Sequence, residues 1–171
     1  MRRVSTLLAA TVLLLPACST AGSGFQAGSW RLGLAMDAWE DTSLNRADAD
    51  QDVITADFGK ILGPSSEFGL RLVSADFPAS TLETGSIGPY FRWYFAPEWA
   101  VRPWAEGGIS FAGADNGTND GSGWEFSAAV GAAWYFLADL GLEAFLRTSR
   151  GNFAVEEIST TQIGIGLSYL W

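Results

Sequence analysis

The stretch that decides the fold is IGIGLSYLW, residues 163–171. Large apolar side chains occupy every second position, at Ile163, Ile165, Leu167, Tyr169 and Trp171, and mostly small residues lie between them. A period of two is that of a β-strand whose two faces have different surroundings. The stretch therefore predicts a strand with one bulky apolar face.

The same alternation recurs upstream, where turn residues interrupt it at regular intervals. Eight strands are predicted: Ser29–Glu40, Asp52–Leu62, Glu67–Ala75, Glu83–Phe95, Trp99–Ala112, Gly123–Phe136, Leu140–Ser149 and Glu157–Trp171. Most reach the roughly nine to eleven residues that a tilted strand needs to cross a bilayer. The connections at 63–66, 96–98 and 137–139 are short, whereas those at 41–51, 76–82, 113–122 and 150–156 are longer and polar. This alternation predicts an all-β, eight-stranded antiparallel up-and-down transmembrane barrel over residues 29–171.

Sorting the strands by parity gives one apolar face and one face of small or charged residues. The charged positions of the second face are Arg31, Asp37, Asp57, Glu67, Arg71, Arg92, Arg102, Glu106, Glu125, Glu143 and Arg147. Arginines and carboxylates are nearly balanced there, as expected of groups that neutralise one another in a closed interior. We therefore expect an ionic network that plugs the lumen, since eight strands enclose room for little more than side chains.

Parity alone does not show which of the two faces lies inside the barrel. A lipocalin-like barrel would turn Leu32, Leu34, Phe68, Leu70, Phe126 and Val130 inward around an apolar ligand. A membrane barrel would turn them outward to lipid, and two features favour it. Lys60 is the only lysine of the chain, whereas a water-exposed surface of this size normally carries many. Six tryptophans, at 30, 39, 93, 99, 124 and 171, lie near predicted strand ends, as in the aromatic belts of membrane proteins.

Residues 163–171 also resemble the C-terminal signal of bacterial outer-membrane barrels, a terminal aromatic residue preceded by apolar residues at alternate positions. The resemblance implies recognition by the barrel-assembly machinery through Ile163, Ile165, Leu167, Tyr169 and Trp171. The whole segment 29–171 is similar to the small barrels related to the transmembrane domain of outer-membrane protein A and to the outer-membrane protein X group. It implies a location in the bacterial outer membrane.

The N-terminal segment has the order of a secretory signal. Arg2 and Arg3 precede an apolar run from Leu7 to Leu15, followed by small residues. Leu15-Pro16-Ala17-Cys18 resembles the bacterial lipobox, which implies cleavage after residue 17 and acylation of Cys18. An ordinary signal-peptidase site a few residues later is the alternative. Residues 18–28 are interpreted as a flexible linker.

Composition excludes several classes of function. The chain carries 19 acidic and 10 basic residues, a net charge of -9, which argues against a nucleic-acid partner. Histidine is absent, so imidazole cannot serve in catalysis or metal binding, and no Gly-x-Ser-x-Gly motif occurs. We predict no catalytic residues, no cofactor and no metal site.

The expected function is a non-enzymatic role in envelope integrity or surface interaction, with outer-membrane lipid and lipopolysaccharide as partners. The alternatives are a soluble periplasmic lipoprotein that binds an apolar ligand and a narrow ion pore through the charged lumen. The acidic loops favour partners reached through divalent cations.

Overall fold

The computed structural model describes residues 26–44, 47–49, 52–76, 83–115, 120–153 and 157–171. The predicted signal peptide, Cys18 and most of the predicted linker lie outside these residues. No helix in the described part of the chain is long and apolar enough to cross a membrane.

The described residues form nine strands, all antiparallel to their neighbours. They are β1 (Trp30–Leu44), β2 (Ala47–Ala49), β3 (Asp52–Gly63), β4 (Ser66–Asp76), β5 (Glu83–Tyr94), β6 (Val101–Asp115), β7 (Asp120–Tyr135), β8 (Leu140–Phe153) and β9 (Glu157–Leu170). Strand β1 pairs with both β3 and β9, so β1 and β3–β9 close into an eight-stranded barrel. Strand β2 pairs only with the far end of β1.

The barrel has two different ends. The turn end carries the short connections at 64–65, 95–100 and 136–139, together with Trp30 and Trp171. The loop end carries the connections between β1 and β3, β4 and β5, β6 and β7, and β8 and β9. Each of the eight barrel strands therefore runs from one end to the other, as the alternating connection lengths predict.

Several strands extend further toward the loop end than the sequence predicts. Strand β1 runs to Leu44 and β2 lies within the predicted loop 41–51, while β7 begins at Asp120 and β8 ends at Phe153. The β1–β9 ladder continues through the pair Thr42 and Thr160. Backbone pairing persists there although the apolar alternation has ended, so the predicted loops 41–51, 113–122 and 150–156 were too long. Phe95 and Trp99, predicted within strands, lie in the turn between β5 and β6.

The apolar face is on the outside of the barrel. Leu34 is 56% exposed, Leu70 51% and Phe126 61%, whereas Arg31, Arg92 and Trp104 in the lumen are 1% exposed. The lipocalin-like alternative is therefore wrong, because the residues that should line its pocket all point outward. They are Leu32, Leu34, Phe68, Leu70, Phe126 and Val130.

Such an outer surface is stable in lipid and not in water, since soluble proteins rarely expose a contiguous apolar surface of this extent. The arrangement of apolar residues outside and charged residues inside is that of a membrane barrel. The protein is therefore a membrane-spanning barrel whose strands cross the bilayer.

Inward-facing glycines make room for large side chains in the narrow lumen. A Cβ atom at Gly164 would overlap the ring of Phe145, and one at Gly59 would overlap the Glu67 carboxylate and the Tyr90 hydroxyl. Because an eight-stranded barrel has little internal space, a large residue on one strand requires a very small one nearby.

Candidate functional site: the lumen and the two rims

The charged side chains of the lumen meet in one buried ionic cluster. Its members are Arg31, Asp57, Glu67, Arg71, Arg92, Glu106, Glu143 and Arg147. All have side chains no more than 8% exposed. Four arginines face four carboxylates, so the cluster is electrically neutral when all are ionised.

Glu67 is the most enclosed carboxylate, with 0% exposure. Arg31 Nε donates to both of its oxygens, at 2.9 and 3.0 Å. The hydroxyl groups of Tyr90 and Tyr94 also donate to it, Tyr94 at 2.7 Å. Because its donors lie on β1 and β5 whereas Glu67 itself lies on β4, Glu67 ties these three strands together inside the lumen.

Asp57 and Glu106 share the guanidinium of Arg71. Arg71 Nε and Nη2 donate to the Asp57 carboxylate at 2.7 and 2.9 Å, and Arg71 also bonds both oxygens of Glu106. Arginine suits this position because its planar fork can serve two carboxylates at once. Removing either carboxylate would leave the buried cluster with one uncompensated positive charge.

Glu143 joins Arg31 and Arg92. Arg31 Nη1 donates to one of its oxygens at 2.9 Å, and Arg92 Nη1 donates to the other at 3.0 Å. Arg92 also bonds Glu106 at 3.0 Å. The cluster therefore forms a continuous network across the lumen and blocks a straight path from end to end.

Three of the predicted network residues lie outside the cluster. The ion pairs among the described residues do not include Asp37 or Glu125. Both lie in the half of the lumen toward the loop end, and the β1 register shifts between Asp37 and Trp39. Arg102 lies near the turn end, where its guanidinium is 4.9 Å from the centre of the Tyr135 ring.

Aromatic side chains fill the lumen between the cluster and the turn end. Four side chains there, aromatic and aliphatic, are at most 3% exposed: Ile61, Tyr94, Tyr135 and Leu170. The ring centres of Trp104 and Phe145 lie 6.3 Å apart. The guanidinium of Arg92 lies 3.9 Å from the Trp104 ring centre. The aromatic side chains in this half of the lumen therefore pack directly against the ionic cluster. This stacking is the favourable cation–π arrangement.

The half of the lumen toward the loop end differs from the aromatic half, because aliphatic and hydroxyl-bearing residues line it. It contains a cavity of about 40 Å³, roughly the room for three water molecules. Arg71 and Arg147 form its floor, and Thr84, Ser86 and Ser127 belong to its wall. The cavity therefore ends on the ionic cluster.

A row of carboxylates follows the rim of the loop end. Cross-strand pairing places Asp52 opposite Asp76, Asp76 opposite Glu83, and Glu83 opposite Asp115. All four are exposed. Among the described residues no group of three metal-binding side chains is close enough to chelate an ion by itself. A cation held here would need further oxygen ligands from a partner.

The five residues of the predicted assembly signal lie on the lipid-facing side of β9 and just beyond it. Ile163, Ile165, Leu167, Tyr169 and Trp171 are 38 to 53% exposed. Trp171 stacks on Tyr169 at 5.9 Å and closes the barrel at the turn end through backbone bonds with Trp30. Their recognition by an assembly machinery stays a prediction.

The bonds that Tyr90 and Tyr94 donate to Glu67 were not predicted from the sequence. A signal was present, because both share the inward parity of Arg92 on the same strand. Parity shows that residues share the lumen but not that they lie at the same height, which depends on strand tilt and register.

No protein-family model matches the sequence, and no curated protein matches it. Solved structures do match. Neisserial surface protein A superposes with a TM-score of 0.69 at 15% identity, over 84% of this chain and 97% of that one. The N-terminal β-barrel domain of Pseudomonas aeruginosa OprF gives 0.59 at 15% identity, over 85% and 98%. The fold is the eight-stranded barrel of bacterial outer-membrane proteins.

The outer-membrane protein OprG of Pseudomonas aeruginosa is also similar, with a TM-score of 0.53 at 11% identity, over 86% of this chain and 98% of that one. None of these three proteins is named for an enzymatic activity. The likeness confirms the predicted architecture, an eight-stranded all-antiparallel barrel of the outer-membrane type. Together with the apolar outer surface, it places the chain in a bacterial outer membrane.

Proposed function

We propose that this outer-membrane barrel has no catalytic activity and contacts lipopolysaccharide through the carboxylate row of the loop end. The observation that carries the proposal is the direct cross-strand sequence Asp52, Asp76, Glu83, Asp115. Like charges that face each other across strands are destabilising, and a divalent cation would remove that cost. Lipopolysaccharide supplies phosphate oxygens that complete the coordination of Mg²⁺ or Ca²⁺.

The direction of the barrel supports this partner. Outer-membrane barrels keep short turns on the periplasmic side and longer loops outside. The loop end, with its carboxylates, would then lie at the outer leaflet, where lipopolysaccharide is found. The ionic cluster across the lumen supports a role in surface contact over one in solute transport.

The test compares binding of purified lipopolysaccharide to the folded barrel in Mg²⁺ and in EDTA. The triple variant Asp76→Asn, Glu83→Gln, Asp115→Asn should lose most of the Mg²⁺-dependent binding. Glu98→Gln, which removes an exposed carboxylate in a turn at the opposite end, should not. Equal binding by the triple variant, or binding unaffected by EDTA, would refute the proposal.

A narrow ion pore remains the second candidate, because the cavity in the half toward the loop end reaches Arg71 and Arg147. Against it stands the bonded network below the cavity. Contact with lipopolysaccharide needs no open lumen, so we expect no single-channel current from the wild-type barrel in planar bilayers. A current that changes when Glu106 is replaced by Gln would favour the pore instead.

We also propose that residues 1–17 are removed and that Cys18 carries the lipid. The lipobox-like sequence Leu15-Pro16-Ala17-Cys18 supports this step. Mass spectrometry of the envelope-purified protein should show a mature chain beginning at Cys18 with added acyl mass. A chain beginning after Ala21, or an unmodified Cys18, would contradict it.

A further inference from the structure

The outer surface of the barrel carries one isolated cation near the turn end, Lys60. Strand β3 points Ile61 into the lumen and Lys60 outward, where Lys60 is exposed. Its cross-strand partners are Trp30 on β1 and Phe68 on β4, both of which face lipid. A lysine in this position is costly unless its ammonium group reaches a polar partner.

No protein carboxylate serves as that partner in the described part of the chain. None of the ion pairs there includes Lys60, and its ammonium nitrogen lies 5.3 Å from the centre of the Trp30 ring. By contrast, Arg150, an exposed cation near the loop end, is bonded to Glu157. The outward-facing cation near the loop end is thus neutralised by a carboxylate, whereas no ion pair among the described residues neutralises Lys60.

The surroundings of Lys60 form an aromatic shelf, which consists of Trp30, Phe58, Tyr169 and Trp171. The rings of Trp30 and Phe58 are stacked, with their centres 4.9 Å apart. The centre of the Phe58 ring lies 6.0 Å from that of Trp171, which stacks on Tyr169. Tryptophan and tyrosine favour the depth of lipid headgroups. The shelf therefore fixes the level of the lipid–water boundary beside Lys60.

The depth of the ammonium group agrees with this boundary. Lys60 lies three residues before the end of β3 at Gly63. At about 3.3 Å per residue and a tilt near 40°, its backbone is roughly 7 to 8 Å from the turn end. A lysine side chain directed toward the boundary covers most of that distance.

We propose that Lys60 and the aromatic shelf bind an anionic phospholipid of the leaflet at the turn end, with the lipid phosphate on the ammonium group. A headgroup of net negative charge, such as phosphatidylglycerol, is favoured because no ion pair among the described residues neutralises Lys60. The acyl chains would lie on Phe58, Leu62 and Phe68, which are 44 to 56% exposed on the outer wall.

Native mass spectrometry of the full barrel, released from detergent with added phosphatidylglycerol or phosphatidylcholine, tests this site. The wild type should bind phosphatidylglycerol about fivefold more tightly than phosphatidylcholine. This is the effect expected of one lysine near a negatively charged surface. Lys60→Gln should lose this preference and Lys60→Arg should keep it. Glycerol 3-phosphate, which lacks acyl chains, should not compete.

Arg150→Gln is the matched control, because it removes an exposed cation at the loop end. It should leave the preference unchanged. A heat-modifiability gel confirms that each variant is folded. The proposal fails if the wild type has no preference, if Lys60→Gln retains it, or if Arg150→Gln abolishes it equally.

Discussion

The two halves of the lumen are built from different residues although they belong to the same strands. Toward the turn end, Tyr94, Trp104 and Tyr135 fill the space and leave at most 3% of each side chain exposed. Toward the loop end, aliphatic and hydroxyl-bearing residues smaller than these aromatic ones surround a cavity. The difference shows that only one half of the lumen is a packed core, and that the ionic cluster separates it from water entering at the loop end.

The largest effect should come from the cluster itself. Glu67→Ala leaves Arg31 and two tyrosine hydroxyls without their shared acceptor, and we expect a loss of about 3–5 kcal/mol in the free energy of unfolding. Urea unfolding of the barrel in lipid vesicles measures this loss. Glu98→Ala, in an exposed turn, is the control. A loss below about 1 kcal/mol would mean that the cluster does not stabilise the barrel.

A smaller loss is expected in the aromatic half. Trp104→Ala removes a fully buried ring that packs on Arg92 and Phe145, and it should cost about 3 kcal/mol in the same assay. This is the low end for such a change, because water can enter the vacated space near the cluster. An effect no larger than that of Ser127→Ala in the other half would erase the distinction between the two.

A third comparison of the two halves enlarges a lumen side chain in each of them. Ala133→Val places two methyl groups where the exposure is 0%, and should destabilise the barrel by about 1–3 kcal/mol. Ser86→Val adds similar volume beside the cavity and should change the stability by less than about 1 kcal/mol. The Ser86 hydroxyl has no hydrogen-bond partner among the described residues, so its loss removes no bond. Equal destabilisation by both variants would contradict a loosely packed loop-end half.

The sequence predicts the two faces of the wall well, because lipid and lumen impose a strict alternation of apolar and polar residues. It predicts the ends of the strands less well. Beyond the bilayer, β1 continues to Leu44 with polar residues on both faces, so the backbone ladder leaves no apolar pattern to detect.

The ionic cluster was predictable as a set but not as a geometry. Arg31, Arg71 and Arg92 share a parity with their carboxylates, and parity alone groups them. Asp37 and Glu125 share that parity too, yet they lie outside the cluster. Their height in the lumen depends on strand register, including the β1 irregularity after Asp37, which no local sequence pattern shows.

The central claim is that the apolar face of the wall contacts lipid while the charged face is sealed within. Spin labels on cysteines introduced singly at Leu32, Leu70 and Ile163, in a Cys18→Ser background, test it in reconstituted bilayers. These outward-facing positions lie on β1, β4 and β9 and do not disturb the cluster. All three labels should be accessible to oxygen, which dissolves in lipid, and protected from a water-soluble nickel chelate. Strong access of the nickel chelate and weak access of oxygen at these positions would contradict the claim.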